Sequence, residues 1–275
     1  MNNELAQDLI SRTPTPLTIK TLETGFVNLG VRAGMVLLVH ASLSSFGWVC
    51  GGPVAVILAL ESLLGQDGTL VMPAFSGELS EPSFWINPPV PEQWWPIIRS
   101  NMPAFDVNLT PTRKMGVIAE TFRKQDKVLR SNHPQVSFVA RGKYAKFITD
   151  NHALQYAFGE LSPVARVYDL GGSILLAGVD YTRNSSLHLA EFRAEYPGKK
   201  TEKGGSPVVE NNHRVWREIE DIASDCGDFE KIGRDFEMEN PGAFTSGKVG
   251  QANVRLIQHR PFVDFAVHWM GKNRK

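Results

Sequence analysis

MVLLVHASLSSFGWVCGGPVAVILALESLLGQDGTLVM, Met35 to Met72, decides the architecture of this 275-residue chain. MVLLVHA is too continuously apolar for a half-exposed strand and predicts one covered on both faces. His40 to Gly52, HASLSSFGWVCGG, follows with small hydroxyl and glycine residues. Pro53, at a first-turn position, then opens a helix that ends before Gly65. Gln66-Asp67-Gly68 is a turn, and Thr69 to Met72 a second buried strand. Strand, glycine loop, helix, turn and strand make a βαβ unit, and a glycine loop running into a helix delivers backbone N–H groups to a polar ligand.

Outward from this unit, Thr18 to Leu29 carries Ile19, Leu22, Phe26 and Leu29 at helical spacing, with Gly30 as the stop. Pro82 to Pro111 has seven of the 17 prolines and Trp85, Trp94 and Trp95, which excludes a long helix or central strand. So much aromatic surface in one connection predicts a packed functional loop. Further along, Met115 to Lys124 and Lys143 to Asn151 read as helices, and Val136 to Ala140 and Ser173 to Val179 as strands. Asp180 to Ser186 is a polar turn before a helix over Leu187 to Tyr196, and Lys199 to Asn212 is loop or hairpin. Arg217 to Glu239 holds nine acids against three bases, and Phe262, Phe265, Ala266 and Trp269 stripe a docked C-terminal helix. The expected fold is α/β: a mixed, largely parallel central sheet flanked by helices, with a long Pro/Trp-rich loop insertion.

Composition narrows the function. Lysine plus arginine equals aspartate plus glutamate at 29 each, so no overall field favours nucleic acid or an anionic membrane. Two cysteines, Cys50 and Cys226, provide neither a disulfide framework nor a Cys-x-x-Cys motif, and each reads as a stray thiol in a reducing cytoplasm. MNNELAQDLI lacks the basic start and apolar core of a signal peptide, and no apolar run is long enough to cross a bilayer.

Candidate chemistry gathers in SSLHLAEFRAEY. With Asn184 or Ser185 as N-cap, His188 falls in the first turn and Glu191 and Glu195 share its face. The positive helix end disfavours imidazolium while a carboxylate favours it, a balance suited to a general base. A capping histidine on a solvated acidic face is the bland alternative. His-x-x-Glu could supply two metal ligands, but the sequence has no His-Glu-x-x-His. No Gly-x-Ser-x-Gly elbow appears, and Cys50 has no base beside it. The opening loop lacks both the Gly-Lys-Ser/Thr of a P-loop and Gly-x-Gly-x-x-Gly. Arg123, Lys124, Lys127 and Arg130 could meet phosphate, or form a solvated face.

Taken together, HASLSSFGWVCGG, GTLVMPAF, MGVIAETFR, LRSNHPQVSF, FGELSPVARVYDLGGSILLAGV and SSLHLAEFRAEY resemble the aminoglycoside 3-N-acetyltransferase family. The likeness runs in order from about Val36 to GKVGQANVRL. It implies the antibiotic N-acetyltransferase fold, distinct from GNAT, and transfer of acetyl from acetyl-CoA, without a metal, to a small cationic amine such as the 3-amino group of a deoxystreptamine ring. On that resemblance residues 1–275 form one domain or two packed lobes, about 1–170 for CoA and 171–275 for acceptor and catalysis, in a monomer or homodimer. His40, Ser42, Ser44, Ser45, Phe46, Gly47, Gly51 and Gly52 would hold CoA, with Arg130, Ser131 and His133 along its groove. His188 would be the base, Asp221 would orient it, and Glu191 would help hold the acceptor, for which Glu78, Glu81 and Asp106 could add negative charge. The rival readings are acetylation of a non-aminoglycoside amine, a non-catalytic CoA- or metabolite-binding module, and a metal-dependent hydrolase built on His188 and Glu191.

Overall fold

A computed structural model describes residues 3–275; Met1 and Asn2, the first residues of the stretch read for a leader, lie outside the described residues. The chain order is α1 (Asn3–Ser11), α2 (Ile19–Asn28), β1 (Val36–Ala41), α3 (Gly52–Leu64), β2 (Thr69–Pro73), α4 (Trp95–Asn101), α5 (Gly116–Arg123), β3 (Leu129–Arg130) and β4 (Phe138–Gly142). It continues with α6 (Ala145–Thr149), α7 (Pro163–Asp169), β5 (Ser173–Ala177), α8 (Ser186–Arg193), β6 (Thr201–Glu210), β7 (His213–Ile222), α9 (Phe229–Glu239), β8 (Phe244–Val249), β9 (Ala252–Gln258) and α10 (His259–Asn273).

The central sheet is mixed, with seven strands in the order β3-β4-β2-β1-β5-β9-β8. Its parallel part is the centre, where β1 pairs with β2 on one side and β5 on the other. The outward pairings β2–β4, β4–β3, β5–β9 and β9–β8 are antiparallel. Both sides of the 170/171 division therefore contribute strands to one sheet. β6 and β7 form a separate hairpin; Gly204 and Gly205, the glycines of Lys199 to Asn212, lie inside its first strand, Gly204 against Phe84 and Gly205 against Trp216.

Alternation along β1 sorts the core. Leu37 and Val39 join α2, α3 and α5 on one face, while Val36 and Leu38 join α6 to α10 on the other. His40 shares the parity of Val36 and Leu38, so it faces the layer containing α8. Because the chain leaves β1 through α3 toward β2 while β5 lies on the opposite side, a crevice opens at the carboxyl ends of β1 and β5. Phe46, fully buried and edge-to-face with Phe26 at 6.3 Å, fastens the loop after β1 to the core. Its truncation to alanine would cost about 3–5 kcal/mol.

The Pro/Trp-rich segment packs against the hairpin. Phe105 N–H donates to Pro207 O (3.3 Å), and Arg214 Nε to Met102 O (3.0 Å). Among the described residues no helix is long and apolar enough to cross a membrane.

Candidate active site

The crevice is a cavity of about 1100 Å³ lined by His40, Ser42, Ser44, Ser45, Gly47 and Gly52 from the expected loop. Phe46 and Gly51 do not line it: Phe46 is in the core, and Gly51 is the N-cap of α3 at φ 84°. Backbone bonds set the loop, with Ser42 N–H donating to Ala177 O (3.0 Å), Ser45 Oγ to Gly178 O (2.9 Å) and Arg12 to Ser44 O (3.0 Å). Gly178, at φ 68°, has to be glycine here, since a Cβ would sit 2.2 Å from that of Ser45.

Two helices aim their first turns at this cavity. Gly52 of α3 and Met115 to Val117 at the start of α5 line it; Gly52 N–H is spent on Val49 O (3.0 Å) and Pro53 has none, whereas α5 has no side-chain cap, so its leading N–H groups are available to an anion. Arg12, Lys114 and Arg183 add positive charge to the walls. Lys114 and Arg183 have no carboxylate within 4.0 Å among the described residues, as the ion pairs there involve other groups.

Arg130, Ser131 and His133 lie elsewhere. Arg130 donates to Ser137 Oγ (2.9 Å), Thr110 O (2.5 Å) and Ala74 O (2.7 Å) and stacks on Phe105. Ser131 Oγ accepts from Phe138 N–H at 2.9 Å. His133 Nδ1 accepts from the N–H groups of Gln135 (3.2 Å) and Val136 (3.1 Å). Their polar atoms hold the β3–β4 turn together, and none lines the cavity. Arg123 and Lys124 likewise pair with Glu120.

His188 is in the first turn of α8. Ser185 occupies the N-cap without a side-chain bond, while Asn184 Oδ1 accepts from Ser186 N–H at 3.1 Å. Nδ1 meets Glu191 Oε2 at 2.7 Å, and that carboxylate is almost wholly buried. Accepting from Nδ1–H, Glu191 fixes the tautomer and leaves Nε2 for chemistry. Glu191 Oε1 is held by Asp225 N–H (2.9 Å) and Arg274 (2.8 Å), and Arg274 also grips Asp228 at 2.7 Å. The His188 ring lies between Phe158 (4.6 Å) and Phe229 (5.1 Å).

This corrects the assignment of the acids. Asp221 does not orient His188, because its oxygens accept from Ala157 N–H (3.0 Å) and Ile222 N–H (2.8 Å). Spacing explains the difference: Glu191 is one helical turn from His188, whereas Asp221 is on β7. Glu195 lies past the end of α8 and pairs with Lys199. Of the acids considered for an acceptor, Glu81 is bound to Arg99 and Asp106 caps the N–H groups of Asn108 and Leu109.

Burial works against a charged His188, but contact with Cys226 and with the Glu191 carboxylate outweighs it and raises the pKa to about 9. Burial also opposes charge on Glu191, yet its bonds to His188 and Arg274 hold its pKa below the usual value. His40 is held down to about 3 by burial and by the charge of His188. That coupling links a residue of the cavity wall to the base. Asp221 is raised by burial, the charge on His188 opposing.

A sequence model of the aminoglycoside 3-N-acetyltransferases matches residues 38–271. The chain belongs to that family. It is 44% identical over 266 residues, 96% of either chain, to the SPbeta prophage-derived aminoglycoside N(3')-acetyltransferase-like protein YokD of Bacillus subtilis (strain 168). It is 35% identical over 262 residues to aminoglycoside N(3)-acetyltransferase III of Pseudomonas aeruginosa, covering 93% of this chain and 94% of the relative. The YokD crystal structure superposes with a TM-score of 0.93 at 43% identity, over 97% of this chain and 98% of that one. Two further neighbours are AAC-IIIb in a binary complex with CoASH (TM-score 0.84, 29% identity, 94% and 97% coverage) and sisomicin-bound AAC-VIa (0.83, 28%, 94% and 98%). As a member of the 3-N-acetyltransferase family, the protein is an acetyltransferase.

Several of the groups that build this acetyltransferase site were not legible beforehand. Arg274 is the penultimate residue, with no motif around it. MGVIAETFR reads as a helix without a place at the cavity, and Phe158 and Phe229 reach His188 from 30 residues before it and 41 after it. A carboxylate at i+3 from a first-turn histidine was the available signal for Glu191, and it pointed to orientation rather than acceptor binding.

Proposed function

We propose that the protein transfers acetyl from acetyl-CoA directly to an amino group of an aminoglycoside, the 3-amino group of the deoxystreptamine ring, with His188 as general base. The observation that carries this reading is the 2.7 Å bond between His188 Nδ1 and a buried Glu191, which leaves Nε2 as the proton acceptor. The CoASH complex of AAC-IIIb and the sisomicin complex of AAC-VIa support the two substrates by likeness.

The donor side fits the group it would hold. N–H groups at the uncapped start of α5, together with Arg12 and Lys114, complement phosphates, and the loop of Ser42 to Gly47 presents amides and hydroxyls to a pantetheine arm. Acetyl-CoA supplies an acetyl group activated as a thioester. On the acceptor side, Asp221 offers negative charge to an ammonium, and a cationic acceptor opposes charge on His188, which drives the proton off Nε2. Neutral Nε2 then takes a proton from the amine as its nitrogen attacks. The imidazolium so formed is stabilised by Glu191, and loop amides stabilise the charge that develops on the thioester oxygen. Positioning of two substrates contributes roughly 7–11 kcal/mol and the base roughly 10²–10⁴-fold. No covalent acyl-enzyme is required. Use of acetyl-CoA and the two exposed, unpaired cysteines support a reducing cytoplasm as the setting of this reaction.

The test is thiol release from acetyl-CoA over a panel of aminoglycosides and simple primary amines. Release with sisomicin or gentamicin, and a product acetylated at the 3-amino group, is expected. Release only with simple amines would move the acceptor to another class, and no release with any amine would leave a binding module.

A further inference from the structure

Glu191 occupies Nδ1 of His188, and the neighbour of the remaining nitrogen is a thiol. Cys226 Sγ lies 4.0 Å from His188 Nε2, on the exposed loop between β7 and α9. The loop is fixed rather than free to swing. Asp225 donates its N–H to Glu191 Oε1 (2.9 Å), Arg274 donates to Asp225 O (2.7 Å), and Gly227 N–H closes on Asp225 Oδ1 (2.8 Å). Phe229 N–H, opening α9, donates to Cys226 O at 3.3 Å. Sulfur, imidazole and buried carboxylate thus stand in line, a nucleophile within reach of a base that a third group orients. The catalytic reading uses Nε2 but gives the sulfur no role.

We propose that Cys226 is a covalent modification site for low-molecular-weight disulfides, and that the mixed disulfide it forms caps His188 Nε2 and stops acetyl transfer. Sγ attacks one sulfur of the disulfide, the new S–S bond forming as the old one breaks. The departing thiolate takes up the proton that Sγ passed to Nε2, so Cys226-SH and RSSR give Cys226-S-SR and RSH. The disulfide is the oxidant, and excess thiol reverses the step. Cys50 provides an internal standard. It is also exposed, but it lies in the donor loop, where its backbone N–H is tied to Leu17 O and, among the described residues, no base hydrogen-bonds its sulfur.

The capping step rests on the reading of His188 as the base, whereas the thiol chemistry does not. The experiment therefore reads both. The full-length protein is treated with 4,4′-dithiodipyridine, each cysteine is followed by peptide mass spectrometry, and acetyl transfer to sisomicin is assayed in parallel. Cys226 is expected to react roughly tenfold or more faster than Cys50. His188→Gln and, as a second variant, Glu191→Gln slow Cys226 toward the Cys50 rate without changing Cys50. Transfer falls in step with Cys226 modification and returns with dithiothreitol, while transfer by Cys226→Ser, read against that variant's own untreated rate, resists the reagent. Equal rates at the two cysteines, or a Cys226 rate indifferent to both variants, would overturn the modification site. Fast, His188-dependent modification with transfer intact would overturn the capping and, with it, the assignment of His188 as base.

Discussion

The buried His133–His152 pair and His188, whose side chain keeps 18% of its surface exposed, titrate in opposite directions. His133 and His152 stack 4.8 Å apart, and burial pushes them down to about 3 and about 4. Their nitrogens are spent on neutral partners. His133 faces Leu154 O and the Gln135 and Val136 amides, and His152 bonds Ser131 Oγ (3.0 Å) and Ala157 O (2.7 Å). His188, between two phenylalanines, has a buried carboxylate on Nδ1 and rises to about 9. Enclosure alone makes a neutral structural histidine; enclosure with an ionic partner and one open nitrogen makes a base.

Substitutions that break this contrast are ordered by expected effect. His188→Gln should lower kcat by roughly 10²–10⁴-fold while CoA affinity, measured by calorimetry, stays unchanged. Glu191→Gln keeps a hydrogen-bonding partner but loses the charge, and kcat should fall roughly 10–100-fold. His133→Ala should act on stability instead: it orphans the amides of Gln135 and Val136, a loss of about 1–3 kcal/mol in denaturant unfolding, with kcat preserved. Asp221→Asn is the mildest, with acceptor KM raised roughly fivefold and kcat little changed, as expected for one charge contact made by a carboxylate whose backbone N–H partners the amide oxygen can still serve.

Stability against pH sharpens the same contrast. His188 has a folded pKa above its ordinary 6.5, so between 6.5 and about 9 the native state binds more protons. Its contribution is complete below 6.5 and is lost as pH rises through 9. His133 and His152 have depressed values, so between 6.5 and about 3 to 4 the unfolded chain binds more protons. Their contribution is present above 6.5 and lost as pH falls. Urea midpoints of His188→Gln and His133→Ala should therefore differ from wild type mainly at neutral-to-acid pH for the first and at neutral-to-alkaline pH for the second.

Much of the fold was written in local pattern. The continuous apolar run of β1, Pro53 at the start of α3 and the stripe on α10 each specify an element through burial or backbone chemistry. The antiparallel flanks were not legible, because β4 and β9 join β2 and β5 through contacts distant in sequence. At the site, the His188–Glu191 pair is local, one turn of helix, and could be read. The choice of Asp221 over Glu218, Glu220 and Asp225 in WREIEDIASDCGDF could not be checked by eye, since only tertiary folding shows that none of these carboxylates meets the ring and that Glu191 does. Histidine and arginine in LRSNHPQVSF suggested ligand contact because the carbonyls that occupy them, of Thr110, Ala74 and Leu154, come from elsewhere in the chain.

The pH dependence of kcat/KM for sisomicin, compared between wild type and Glu191→Gln, tests the central claim most directly, because the acceptor's own titration is common to both. With Glu191 tuning His188 as the base, the wild-type rate should climb with pH to a limb near 9, and the variant's limb should shift toward 6.5. An identical limb in both proteins would contradict the account.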